Sequence, residues 1–148
     1  MTPQTYTEFL HHNIPLTAAA GVYVVLTEPY RIEIRAPMAP NRNHHGSMFG
    51  GSLAMLGIVS GWALVNRALD EAGLAVKLVV QKSECEYLAP AIGEVAAAGE
   101  LSADDWQAFT GRLRERGRAR IQVETQLSVA GQPVVRHHGV FAARQHVE

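Results

Sequence analysis

The sequence predicts an α+β fold in which a curved antiparallel sheet wraps around one long central helix. Three observations predict it. Segments with period-two alternation or β-branched runs outnumber helical ones, and turn residues join neighbouring pairs, which implies antiparallel pairing. One stretch, Leu53–Val65, is apolar around its whole circumference and so requires cover on every face. The length of 148 residues, 47% of them hydrophobic, suits one domain, residues 1–148, with a core that needs no staples. A sheet curled around the helix provides that cover, with a further helix inserted between later strands.

Tyr6, Phe9 and Leu10 lie at helical spacing in a short N-terminal segment, and Pro15 ends it. Gly21–Thr27 is β-branched and aromatic and reads as a strand. Pro29 and Tyr30 turn the chain. Arg31, Glu33 and Arg35 then alternate with Ile32, Ile34 and Ala36, so the two strands form a hairpin with one wet face. Pro37 and Pro40 stop the second strand. A polar, glycine-rich loop follows, then the apolar helix, which turns polar at Asn66, Arg67, Asp70 and Glu71 and is capped by Gly73.

Val76–Leu88 is a long strand. Val79, Gln81, Ser83, Cys85 and Tyr87 carry no formal charge and are assigned to the helix side; Val80, Lys82, Glu84, Glu86 and Leu88 face away, unless a strand bulge or a dimer edge reverses Ser83 and Glu84. Pro90 and Gly93 break the chain before a strand of small residues, Glu94–Leu101. Ser102 is the N-cap of the inserted helix, with Asp105 three residues on as a variant capping box. Trp106, Phe109 and Leu113 form its apolar stripe and Gly117 closes it. Arg118–Val129 alternates most cleanly, with Ala119, Ile121, Val123, Thr125, Leu127 and Val129 inward. Gly131–Gln132 marks a hairpin turn before the last strand, Pro133–Arg144.

A net charge of −1 gives no electrostatic footprint for nucleic acid or an anionic membrane. The first residues lack the basic and apolar regions of a signal peptide. The apolar run of the central helix falls short of the roughly 20 residues that span a bilayer. With its single cysteine, Cys85, the chain reads as a cytoplasmic protein. The histidines, including the His11–His12 and His137–His138 pairs, show no His-x-x-x-His spacing, and there is no Cys-x-x-Cys, so no metal site is expected.

The chemistry concentrates where the loop meets the helix. Gly50 and Gly51 place unpaired backbone N–H groups at the positive end of the helix dipole, a suitable setting for a carbonyl oxygen that gains negative charge. Asn43 either positions a water or bonds its own backbone. His44 and His45, being adjacent, should point to different sides, and His45 is either a general base or a solvated loop residue. Glu84 is either a catalytic carboxylate or a solvated strand residue beside Lys82 and Glu86. Ser83 bonds substrate or fills a small space. Ser60 is expected to bond the carbonyl one turn back. Gly57 and Gly61 would let a strand approach the helix closely, and Cys85 reads as a core residue. Arg112, Arg114, Arg116, Arg118 and Arg120 either complement a helix end or meet phosphates.

The run Asn41-Arg42-Asn43-His44-His45-Gly46-Ser47-Met48-Phe49-Gly50-Gly51-Ser52-Leu53, with Gly61-Trp62, Lys82-Ser83-Glu84, Tyr87-Leu88-Ala89-Pro90 and Gly93-Glu94, resembles the hotdog-fold thioesterase family of the YiiD C-terminal type, from about Ile14 to Ala143. The resemblance implies a homodimer or a tetramer of hotdog dimers with its site at a subunit boundary. It implies an acyl-CoA or acyl-carrier-protein thioester as substrate, its pantetheine arm running to the helix start, and no cofactor apart from the coenzyme A that the substrate carries. Asn43, His45, Gly51, Ser83 and Glu84 are then the catalytic candidates, and Gly46, Met48, Phe49, Gly50 and Ser60 the substrate-binding ones. Similar thioesterases carry a histidine before the glycine pair and an acid seven residues after its second glycine; here Phe49 and Ile58 stand there. The expectation is a thioester hydrolase without a covalent intermediate. The alternative is a non-catalytic acyl-CoA or acyl-carrier binding module; Phe49 and Ile58 argue against a dehydratase.

Overall fold

A computed structural model describes residues 1–146. The chain runs α1 (Pro3–Asn13), α2 (Pro15–Ala19), β1 (Tyr23–Glu28), β2 (Arg31–Ala36), a 3₁₀ turn (Ala39–Asn41), α3 (Gly50–Glu71), β3 (Val76–Tyr87), β4 (Val95–Glu100), α4 (Ala103–Arg116), β5 (Arg118–Val129) and β6 (Gln132–Gln145). The six strands form one antiparallel sheet in the order β1-β2-β4-β5-β6-β3. Pro15 starts α2 rather than simply ending the first helix, because proline suits the first helical turn, where its missing N–H has no partner to lose.

The central helix α3 packs on β2 through β6. Leu53, Leu56, Leu64 and Leu69 are buried there, at about 1.5–3 kcal/mol each. It is not covered all round, as its composition had suggested: Ala54, Met55, Ile58 and Trp62 are only half-buried. Including its polar end, α3 has 22 residues, and it is long and apolar enough to cross a bilayer by length and composition alone. Its packing on the sheet accounts for that apolarity.

Strand β5 behaves as its alternation demands, with Ile121, Val123, Thr125 and Leu127 buried under α3. Ser102 caps α4, its Oγ accepting from the Asp105 N–H at 3.0 Å, and Gly117 ends the helix at φ 75°. Phe109 and Leu113 anchor α4 in the core. The β5–β6 turn sits one residue earlier than expected, at Ala130 and Gly131, both with positive φ (48° and 81°) as a two-residue hairpin turn of the primed type requires.

Strand β3 corrects the sequence reading in its first half. Its ladder with β6 skips Gln81, passing from Val80↔Phe141 to Lys82↔Val140. That bulge reverses the phase. Beyond it Ser83 and Cys85 face the helix as expected. Before it Val76 and Leu78 turn inward and Val79 turns out, 46% exposed.

Candidate functional site

The loop before α3 is tied down from three directions. Buried Asn41 donates through Nδ2 to the Ala20 and Pro37 carbonyls, at 2.8 Å each. The Met48 and Phe49 N–H groups donate to the carbonyls of Ala91 and Asn41. Asn43 binds its own loop: Oδ1 accepts from the His45 and Ser47 N–H groups, and Nδ2 donates to Ser47 Oγ at 2.9 Å. Gly46 turns the chain at φ 80°. The His44 and His45 rings do not diverge; they lie against each other, centroids 3.7 Å apart, and both residues are exposed.

No side chain of the described residues caps the start of α3. The N–H groups of Gly50, Gly51 and Ser52 have no acceptor among the described residues, which leaves three donors at the positive end of a 22-residue helix. Tyr87 of β3 pins this end, its hydroxyl donating to the Gly50 carbonyl at 3.0 Å. Beside it lies a hollow of about 420 Å³ lined by Ser47, buried Met48, Gly50, Leu53, Tyr87 and Leu88. The exposed Phe49 ring folds back over Gly51, where a Cβ would stand 2.3 Å from its edge.

A second constellation lies further along the same helix. Ser83 Oγ is 2.7 Å from Nε2 of His137, on β6. His137 is 1% exposed, in a slot made by two glycines. A Cβ on Gly57 of α3 would stand 2.4 Å from its Cγ, and one on Gly139 would stand 3.2 Å from its Cε1. Gly139 is also the cross-strand partner of Ser83, so the imidazole leans diagonally over it to the hydroxyl. Burial lowers the His137 pKa, assisted by His138 and opposed by Glu124, so the ring is held neutral. Its Nδ1 has no hydrogen-bond partner among the described residues. A neutral imidazole against a partly exposed hydroxyl can accept a proton through that hydroxyl.

The other candidates lie elsewhere. Ser60 is fully buried, its hydroxyl donating to the Gly57 carbonyl and paired with Thr125 Oγ1, both at 2.9 Å, so it holds helix to sheet and does not reach a substrate. Glu84 faces away from the helix and pairs with Lys82 at 3.1 Å, both exposed. Burial pushes the Cys85 thiol up, away from nucleophilic duty. Among the described residues no group of three or more His, Cys, Asp or Glu stands together to hold a metal ion. Sequence reasoning missed His137. The available signal was a histidine in phase with Val135, Gly139, Phe141 and Ala143 on the buried face of the last strand.

Residues 3–145 match the family described as "Putative thioesterase (yiiD_Cterm)". The chain belongs to this family. A Pseudomonas aeruginosa protein of unknown function, described as a "Probable Thioesterase", is 26% identical with a TM-score of 0.87, the match covering 99% of this chain and 97% of that one. A protein of unknown function from Chlorobaculum tepidum is 22% identical with a TM-score of 0.90, over 97% and 94% of the two chains. A thioesterase from Haemophilus influenzae is 14% identical with a TM-score of 0.78, over 100% and 94%. The fold is the hotdog fold. Within this YiiD C-terminal scaffold, the half-buried Ile58 occupies the helix position where an acid was sought, and the polar pair sits opposite Gly57 instead.

One geometric fact constrains the chemistry of this family member. Gly50 and Gly57 are seven residues apart on α3, about 10 Å at 1.5 Å per residue. The bare amides and the Ser83–His137 pair therefore stand at different levels along α3. The edge strand β3 leaves one row of backbone groups unpaired and exposes Val79, Val80 and Tyr87.

Proposed function

We propose that this protein hydrolyses acyl thioesters of coenzyme A or of an acyl-carrier protein, as a homodimer paired through β3. The observation that carries this reading is that one strand serves both reactive features: β3 pins the bare start of α3 through Tyr87 and holds Ser83 against His137. A second copy on the open β3 edge covers Val80 and brings one protomer's α3 start towards the other's Ser83.

In this mechanism the Gly50 and Gly51 N–H groups bind the carbonyl oxygen and strengthen their hold as it becomes an oxyanion. A water at the exposed side of Ser83 attacks the carbonyl carbon. Its proton passes to Ser83 Oγ as the serine proton passes to His137 Nε2. The C–S bond breaks, the thiolate takes the proton back along the same path, and a carboxylic acid remains. Asn43 and Gly46 shape the loop, Met48 and Phe49 border the acyl path, and no cofactor beyond the coenzyme A of the substrate takes part.

The test is free-thiol release from acyl-CoA substrates, acetyl through palmitoyl and aromatic acyl groups, by wild type and His137→Gln. Release that collapses in the variant supports the reading. Saturable acyl-CoA binding with no release by wild type would make the protein a binding module, a role the unpartnered His137 Nδ1 would then fit.

A further inference from the structure

The outer face of the sheet, opposite α3, carries a hollow of about 740 Å³ that the proposed chemistry does not use. Its rim holds Lys77, Arg112, Arg116, Arg118, Arg120 and Arg144, six of the 13 Lys and Arg residues of a chain whose net charge is −1. Val79 and Ala142 supply its apolar floor. All six cations are exposed, and no carboxylate of the described residues lies within 4 Å of any of them.

This arrangement costs stability when empty. Lys77 is the cross-strand partner of Arg144, and Arg144 that of Arg118, so three like charges stand side by side across β3, β6 and β5. Like charges directly opposite destabilise a sheet. In the next row the partners are Val79, Ala142 and Arg120, where short side chains open a depression beside the charges. The helix dipole explains Arg116 in the last turn of α4, but it gives no reason for Arg112 or for the four cations on strands. The bulge at Gln81 is what turns Lys77 and Val79 onto this face.

We propose that this hollow binds the 3′-phosphorylated adenosine diphosphate end of coenzyme A. The arginines and Lys77 hold the phosphates and the base lies on Val79 and Ala142. The proposal rests on the thioester reading and names coenzyme A, not a carrier protein, as the acyl carrier. Concavity and volume favour it: the hollow is within the range of small-molecule sites, whereas an acidic helix needs a long shallow groove. Arginine forks suit phosphate oxygens.

The test measures 3′,5′-ADP binding by calorimetry with wild type, Arg118→Gln/Arg144→Gln and Arg31→Gln, an exposed arginine remote from the hollow. It is paired with KM for acyl-CoA and for the matching acyl-pantetheine. Saturable 3′,5′-ADP binding is expected in wild type and Arg31→Gln. In the double variant it should weaken about tenfold or more, with a similar rise in acyl-CoA KM and no change for acyl-pantetheine. The ligand-free double variant should melt at a higher temperature than wild type, and that gain should be absent in Arg31→Gln. Absent nucleotide binding, or equal binding in all three proteins, overturns the proposal. So does an effect of the double variant confined to acyl-carrier-protein substrates. Nucleotide binding that depends on Arg118 and Arg144 in a protein that hydrolyses no thioester would leave this site standing and remove the hydrolase reading.

Discussion

The two halves of the candidate site are built from different materials. At the start of α3 the working groups are backbone amides of Gly50, Gly51 and Ser52, and side chains serve only to hold the turn: Asn41, Asn43 and Tyr87. At Ser83 and His137 the working groups are side chains, and glycines serve only to make room: Gly57 and Gly139. The first half is robust to most substitutions, because every residue except proline carries an N–H. The second is fragile, because a buried imidazole bonded to one hydroxyl has no substitute.

The sharpest way to break that contrast is His137→Gln. The glutamine amide fills much of the slot, and its oxygen can still accept from Ser83, but it cannot take up a proton. Turnover should fall by about 10²–10⁴, the usual contribution of a general base, with a near-native melting temperature. A loss under tenfold in the folded variant would sink the side-chain half. Next in size is Gly51→Pro. Proline is tolerated in the first turn of a helix and removes one donor, so kcat should fall about 10²–10³. Gly51→Ala is its partner, since both introduce a Cβ that displaces the Phe49 ring but only proline removes the N–H. Equal losses in the two would show that the ring, not the amide, matters.

The same contrast explains what could be read in the sequence. The backbone half was legible because it is contiguous: loop, two glycines and an apolar helix stand in one stretch, Asn41–Val65. The element order and the strand faces of β5 were legible because periodicity is local. The His137–Ser83 pair was not. Its members are 54 residues apart, and their meeting depends on the β3–β6 register. Gly57 and Gly61 were read as room for a close strand; the strand is β6, with His137 over the first glycine and Phe141 over the second. The bulge at Gln81 was equally hidden, because Val79 and Val80 are alike in hydropathy and alternation cannot choose between them.

A pH series sharpens the contrast further. His137 must be neutral to accept a proton, and burial holds its pKa below the ordinary 6.5. The acid limb of kcat/KM should therefore lie below pH 6.5 and vanish from the residual activity of His137→Gln. Stability should follow the same group. The unfolded chain takes up a proton at this histidine below about pH 6.5 and the native protein resists it, so the fold weakens as pH drops through 6.5 and levels off below the native pKa. A thermal-melt series from pH 8 to pH 5 should slope less in His137→Gln than in wild type; equal slopes would remove His137 as the titrating group.

Asn43→Ala should have the smallest effect. If Asn43 held the attacking water, its loss would cost orders of magnitude, as with His137. The structure instead gives its Oδ1 two loop amides and its Nδ2 the Ser47 hydroxyl. Removing these bonds frees groups in a half-exposed loop where water can replace most of them, so stability should fall by only about 1 kcal/mol. The bare amides of Gly50 and Gly51 belong to α3 and are placed by its core contacts and by Tyr87, so they should hold their aim, and kcat should stay within about tenfold of wild type. A hundredfold loss in a folded Asn43→Ala protein would move the water from Ser83 to the loop. Both halves of the site would then lie at one end of α3, and the proposed homodimer would no longer be needed to join them.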